Sequence, residues 1–390
     1  MYSCYIFNDD IMERVHKLHE VRPSLSQITH TEFHHGHSRR YLRCFVACFV
    51  FLFFLLMLYV PAYHQTRTRE DQIHIVNIPG WSLNTSRDLK LYVLPENLTA
   101  IIPQPDICSE KLFLLIVVCS AVGNFEARSA IRQTWASAPV VTEKASAIRV
   151  AFLLGESENN TLQEQVEEES IKHSDIIQEG FLDTYNNLTL KSVMLLKWTV
   201  TNCPSVRYIM KTDDDMFVNI ESLVRLLRSK GSTGLLIGAL ICGAHPISDS
   251  HSKWYAPRYM YPGRVYPNYL SGTGYVMSND VMKRLYKAAL QTPLFHLEDV
   301  YVTGLCSKAA GIRPRDHPAF TYARRRIDPC LLRDRSVITS HRMDSAQLLK
   351  IWPRIRDPNL DCSSFTASQK PSSRPNKKTA KVRRPVNKCV

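Results

Sequence analysis

No Cys-x-x-Cys pair occurs among the eleven cysteines, which removes the commonest zinc frameworks. No small-residue cleavage site follows the one long apolar run, and about forty residues precede it, so a removed signal peptide fits poorly. No acid occurs after Cys362: residues 363–390 hold eight lysines and arginines unopposed, so the net charge of +13 falls to +5 for the rest of the chain. The basic surplus is therefore local and does not mark a nucleic-acid-binding protein. This Ser- and Pro-rich segment reads as a disordered basic tail, solvated or touching anionic glycans or lipid headgroups. General disorder is excluded for the remainder, because 45% of the 390 residues are hydrophobic, enough for one large domain or two small ones.

The apolar run, residues 44–63 (CFVACFVFLFFLLMLYVPAY), is uncharged, and as a helix at about 1.5 Å per residue it spans about 30 Å, the thickness of a hydrocarbon core. Arg39, Arg40 and Arg43 precede it, which places residues 1–43 in the cytoplasm and everything after Tyr63 in a lumen. Four sequons, at Asn84, Asn97, Asn159 and Asn187, all fall on that luminal side as glycosylation candidates. Eight cysteines follow the span, an even number that suits an oxidising compartment without choosing among pairings. Residues 64–110 are polar, carry Pro79, Pro95, Pro103 and Pro105 shortly after Pro61, and read as a stem.

From Lys111 the pattern alternates. Leu112–Cys119 is a continuous apolar run, as expected of a strand buried on both faces; a helix is predicted over Glu126–Trp135. Strands over Ile148–Leu154, Ile176–Leu182 and Tyr208–Thr212 alternate with helices from about Thr161 to Ser174 and from about Leu188 to Thr201. Repeated units of this length predict a layered α/β domain over residues 111–362, with ligands bound beyond the carboxyl ends of its strands.

At one such end stand Asp213, Asp214 and Asp215. In extended geometry Asp213 and Asp215 share a side and Asp214 opposes them. Nearby carboxylates repel and are costly to desolvate unless a cation neutralises them, so a divalent ion carrying a substrate diphosphate is one reading. A solvated acidic turn partnered by Lys211 is the other. Arg128, Arg132 and Trp135, spaced i, i+4, i+7, share a predicted helix face, either a diphosphate fork or a solvated basic face beside a core Trp. Gly272 and Gly274 allow close backbone approach to a sugar, or merely close a turn. Trp254 and Tyr255 belong to an aromatic loop that suits a pyranose cleft, or is simply pinned by its rings. Glu298 and Asp299 open a predicted helix, where acids also complement the dipole. His341 ends a short apolar strand beginning at Val337, as a ligand or as a structural histidine.

Seven stretches in this order resemble glycosyltransferase family 31, most closely its β-1,3-galactosyltransferases: IRQTW (131–135), FLDTYNNLTLKS (181–192), YIMKTDDDMFVN (208–219), KWY (253–255), YPNYLSGTGYVMS (266–278), HLEDVYVTGLC (296–306) and VITSH (337–341). The resemblance spans about Leu112 to Cys362. It implies a GT-A type Rossmann-like nucleotide-sugar domain in the Golgi lumen behind a single N-terminal transmembrane helix. It also implies a manganese-dependent inverting transfer of galactose from UDP-galactose to a glycan acceptor. By the same resemblance Asp215 and His341 hold the metal, Asp299 is the catalytic base, and Arg128, Arg132, Lys211, Asp213 and Asp214 bind the donor. Trp254, Tyr255, Gly272, Gly274 and Glu298 then line the sugar pocket, and Cys306 pairs with Cys330. Thr303 before Gly304 departs from the usual family spelling, and the basic tail has no family counterpart. The alternatives are N-acetylglucosamine as donor sugar, a non-catalytic sugar-binding relative, and a metal-dependent phosphohydrolase. The last would need more carboxylate or histidine ligands than are present, and KWY and YLSGTGYVMS favour galactose.

Overall fold

The computed structural model describes residues 36–71, 76–108, 110–138, 141, 147–363 and 389. The apolar run lies within one helix, α1 (Gly36–Asp71), whose stretch Leu42–Tyr63 has a mean hydropathy of 2.6 and is long and apolar enough to cross a membrane. It begins two residues earlier than the run read from sequence. Residues 1–74 form one unit and 75–390 a second.

The second unit opens with α2 (Lys90–Val93) and β1 (Ala100–Ile102), inside the segment that reads as a stem. The structure corrects that boundary. Ile78, Trp81, Leu89, Val93 and Ile107 are buried in the core, β1 pairs with a sheet strand, and Cys108 is disulfide-bonded to Cys203. Scattered apolar residues among prolines carry no period, so sequence pattern does not distinguish a packed strap from a spacer.

Next come β2 (Leu114–Cys119), α3 (Phe125–Gln133), β3 (Ile148–Glu156), α4 (Asn160–His173), β4 (Ile176–Leu182), α5 (Leu188–Asn202) and β5 (Tyr208–Asp213). Then follow β6 (Met216–Val218), α6 (Ile220–Arg228), β7 (Leu236–Ile241), β8 (Tyr269–Ser278) and α7 (Asn279–Ala289). A π-helix (Val300–Cys306) leads into α8 (Ser307–Ala309), β9 (Arg315–Asp316), α9 (Pro329–Arg333), β10 (Thr339–His341) and α10 (Ser345–Arg356). The large sheet has the order β1-β4-β3-β2-β5-β8-β7-β9, with β4, β3, β2 and β5 parallel and β8 antiparallel to both β5 and β7. A small ribbon pairs β6 with β10.

Every residue of β2 is buried because both sheet faces are covered. Leu115 and Val117 join Val193, Met194 and Trp198 of α5 on one face, while Leu114, Ile116 and Val118 join Ile131 near α3, Leu223 of α6 and Ile351 of α10 on the other. The predicted helix over Glu126–Trp135 stops at Gln133. Thr134 leaves helical geometry, and Trp135 opens a 3-10 turn in which its buried indole donates to the Met216 carbonyl at 2.9 Å. Trp135 is therefore not the third residue of an α-helical face.

Among the described residues three disulfides form: Cys108–Cys203, Cys242–Cys389 and Cys330–Cys362. The expected Cys306–Cys330 bridge is corrected. Cys306 is a buried free thiol packed with Tyr301 and Val302, whereas Cys330 opens α9 and meets Cys362. The rest of the basic tail, residues 364–388, lies outside the described residues, but Cys389 is bonded to Cys242 just beyond β7.

Asn84, Asn97 and Asn159 are exposed, and Asn159 also caps α4 by accepting from the Thr161 and Leu162 amides. Asn187 differs: its amide donates to the Leu182 carbonyl at 2.9 Å and accepts from the Trp81 indole at 3.0 Å.

The β3–β4 contact sets a strict size limit. A Cβ on Gly155 would stand 2.6 Å from the Phe181 carbonyl oxygen and 2.8 Å from its ring. Gly155→Ala is expected to cost about 1–3 kcal/mol, seen as a lower denaturation midpoint; an unchanged midpoint would show slack between these strands.

Candidate active site

The chain runs extended through Lys211 to Asp213, then turns at Asp214 and Asp215 before β6. Strand alternation therefore ends at Asp213, and each carboxylate takes a different partner. Asp213 accepts from Lys211 Nζ at 2.6 Å. Asp214 accepts from Ser120 Oγ at 2.6 Å and from Asn124 Nδ2 at 2.8 Å, both at the end of β2. Asp215 lies 3.1 Å from Nε2 of His341.

The ribbon makes that last pairing possible. His341 stands opposite Met216 in the β6–β10 register, and the Asp215 carbonyl accepts from the Met343 amide at 2.8 Å. Nδ1 of His341 lies 2.8 Å from the Tyr322 carbonyl oxygen, which can only accept, so Nδ1 carries a proton and donates, and Nε2 is turned towards Asp215. The Asp215 hydrogen bond raises the proton affinity of His341 above its ordinary value, against burial.

Lys211 was expected to bind donor, but the structure turns its ammonium inward. The side chain is buried, and Nζ reaches Asp213 Oδ1 at 2.6 Å, the Gly272 carbonyl at 2.8 Å and Glu298 Oε2 at 3.5 Å. Burial alone would discharge it, but Asp213 and Glu298 outweigh that and hold its pKa well above the usual value. Glu298 is likewise corrected from pocket lining to support: it is buried and accepts from the Tyr275 hydroxyl at 2.7 Å.

Asp299 adjoins this group as the cap of the π-helix. Its oxygens accept from the Val300 amide at 2.8 Å and the Gly272 amide at 3.3 Å. Burial first, and the neighbouring Glu298 charge second, push its carboxyl up to about 7, against those two amides and Lys211. Gly272 thus touches both sides of the site, its carbonyl on Lys211 and its amide on Asp299. Gly274 faces Thr212 across the β5–β8 ladder, where a Cβ would come within 3.4 Å of the Thr212 hydroxyl.

Arg128 and Arg132 are corrected in the same sense as Lys211. Arg128 is fully buried, and its guanidinium is engaged by Glu169, the Ser120 hydroxyl and the Ala121 and Val122 carbonyls. Arg132 bridges Glu169 and Asp175. With its donors taken, Arg128 reaches the acid cluster only through Ser120, which passes a hydrogen bond on to Asp214. Trp254 is half exposed, with Lys253 Nζ 4.9 Å from its ring centre, whereas Tyr255 is buried in the core.

Sequence reading passed over Ser120, Asn124 and Tyr185. Ser120 and Asn124 follow the carboxyl end of β2, which was the available signal. Tyr185, within the 181–192 stretch, is half exposed, and burial followed by the Asp299 and Asp213 charges raises its hydroxyl pKa.

The fold and this charge network define an α/β enzyme with acid side chains gathered beyond parallel strand ends. Residues 126–318 match the model of the galactosyltransferase family, and the chain belongs to that family and is a sugar-transferring enzyme. Beta-1,3-galactosyltransferase 1 of Mus musculus and of Homo sapiens are each 41% identical to it over 262 residues, covering 66% of this chain and 78% of theirs. Beta-1,3-galactosyltransferase 2 of Homo sapiens is 38% identical over 279 residues, covering 69% and 65%.

A Cβ on Gly272 would come 3.0 Å from Glu298 Oε2 and 3.3 Å from Asp299 Cβ. Gly272→Ala is expected to lower kcat about tenfold to a hundredfold by displacing Asp299, with thermal stability largely kept. Wild-type turnover in that variant would show that Asp299 does not depend on this backbone contact.

Proposed function

We propose that the protein transfers galactose from UDP-galactose to a hydroxyl of a glycan acceptor, forming a β-1,3 linkage with inversion, and does so with manganese. The relatives bear the name of that reaction. The observation that carries the mechanism is Asp299: a carboxylate whose proton affinity is moved close to neutrality and which is tied through Gly272 and Lys211 to the acid cluster.

The residues fit a divalent cation. Asp215 offers a carboxylate and His341 an Nε2 oriented by the Tyr322 carbonyl. Among the described residues no group of three or more His, Cys, Asp or Glu gathers as a metal cage, so Asp215 and His341 would hold the ion from the protein side and leave its other positions to substrate oxygens and water, as is usual for ions that carry diphosphates. When bound there, manganese supplies charge neutralisation for the departing UDP. The chain's own groups do the rest. Asp299 takes the proton from the acceptor hydroxyl as its oxygen attacks the anomeric carbon opposite UDP, and a single displacement inverts the configuration. Lys211 holds Asp213 and Glu298, and the Gly272 amide holds Asp299, rather than touching substrate. The half-exposed rings of Trp254 and Tyr185 offer faces for the acceptor sugar.

The proposed location is the Golgi membrane, with α1 as a type II anchor and the catalytic unit luminal. This reading is supported by the arginines that precede Leu42–Tyr63 and by the exposed sequons at Asn84, Asn97 and Asn159.

Asp299→Asn is expected to reduce transfer by about 10²–10⁴-fold while leaving UDP binding intact, as measured by product formation and by titration with UDP. Because the base works deprotonated, wild-type kcat/KM should rise with pH through about 7. In Glu298→Gln, which removes the repelling charge, that rise should move to lower pH. Undiminished turnover in Asp299→Asn would remove the base assignment.

A further inference from the structure

Away from the acid cluster, a cleft of about 440 Å³ opens between α6, α9 and α10, within the roughly 300–1,000 Å³ typical of small-ligand sites. Its wall carries Arg225, Arg333, Arg335 and Arg356 around Trp352, with Glu221 as the opposing charge. Glu221 is paired to Arg356 at 3.0 Å, which leaves three positive charges without a carboxylate. Arg333 donates to the Asp357 carbonyl at 3.1 Å, a neutral partner. Arg225 and Arg335 make no hydrogen bond or ion pair with another described residue, and the adjacent Asp334 turns its carboxylate to Ser336. None of these arginines takes part in the charge network of the active site.

We propose that this cleft is a second, non-catalytic saccharide site that takes an acidic sugar, one bearing a carboxylate or sulfate on a pyranose ring. Guanidinium forks match the two or three oxygens of such a group and bind it in bidentate fashion. Trp352, half-buried with Arg356 5.9 Å from its ring, presents an apolar face against which the ring can lie. A bare inorganic anion would use the arginines and leave the indole idle. The arrangement does not depend on which sugar the enzyme transfers, so it stands or falls separately from the donor assignment.

Both unpaired arginines are exposed and support nothing else in the fold, so the variant Arg225→Ala/Arg335→Ala should fold normally. The test uses the full-length chain in detergent micelles with a fluorescent, fully sulfated heparin tetrasaccharide, an unsulfated tetrasaccharide and inorganic sulfate as probes. The wild type is expected to bind the sulfated tetrasaccharide at least about tenfold more tightly than either other probe, with affinity falling as salt rises. The double variant should lose at least about tenfold in that affinity, keep its thermal midpoint, and transfer to a neutral acceptor at the wild-type rate. Trp352→Ala should weaken the tetrasaccharide and leave the inorganic sulfate affinity unchanged. The basic residues of 363–390 are the same in all these proteins, so binding that survives the double variant belongs to them and overturns the proposal. Equal affinity for inorganic sulfate and the sulfated tetrasaccharide overturns the saccharide assignment.

Discussion

The buried ammonium of Lys211 is the point on which the reaction centre depends. It is the common partner of Asp213, at the end of β5, and Glu298, at the start of the π-helix, and it also takes the Gly272 carbonyl of β8. Two carboxylates brought this close in a poorly solvated place repel each other, and a cation between them reverses the sign of the interaction. Removing it would leave the buried Glu298 and the part-exposed Asp213 facing each other without a compensating cation, which destabilises the centre. The geometry explains a small residue too. Strand β8 presents Gly272 where a Cβ would crowd Glu298 and Asp299, so the backbone itself approaches the charges.

A second network braces the opposite side. Arg128 is locked against Glu169 and the end of β2, and the Ser120 hydroxyl that it contacts donates in turn to Asp214. Each of the three consecutive acids is therefore anchored to a different part of the fold: β8 and the π-helix through Lys211, the β2 end through Ser120 and Asn124, and β10 through His341. Asp215 is the one left facing a histidine nitrogen instead of a donor dedicated to the scaffold. The fold holds the other two acids still while leaving this pair available to a ligand.

Much of this framework was legible in the sequence, for physical reasons that differ from element to element. Strand β2 is a continuous apolar run because both faces of the sheet are covered, and that signal survives any tertiary context. The proximity of Asp215 and His341 was legible only through motif resemblance, since residues far apart in the chain cannot be brought together by periodicity. The charged residues misled: Lys, Arg and Glu are ordinarily read as solvent-facing or ligand-facing, yet Lys211, Arg128 and Glu298 are buried because each finds an opposite charge distant in sequence. The same non-locality hid the pairing of Cys330 with Cys362, the packing of Ile78, Trp81 and Val93, and the roles of Ser120 and Asn124. The stop at Gln133 turned on Trp135 reaching Met216, a contact between segments that no helical pattern encodes.

If the scaffold leaves Asp215 and His341 free to share a cation, nucleotide binding must depend on that cation. Calorimetric titration of UDP into the full-length protein, once with manganese and once with a chelator, measures this directly. The account predicts a strong binding isotherm in the first case and none at comparable concentrations in the second. Equal affinity in both would contradict it, and the acid cluster would then have to be read as scaffold alone.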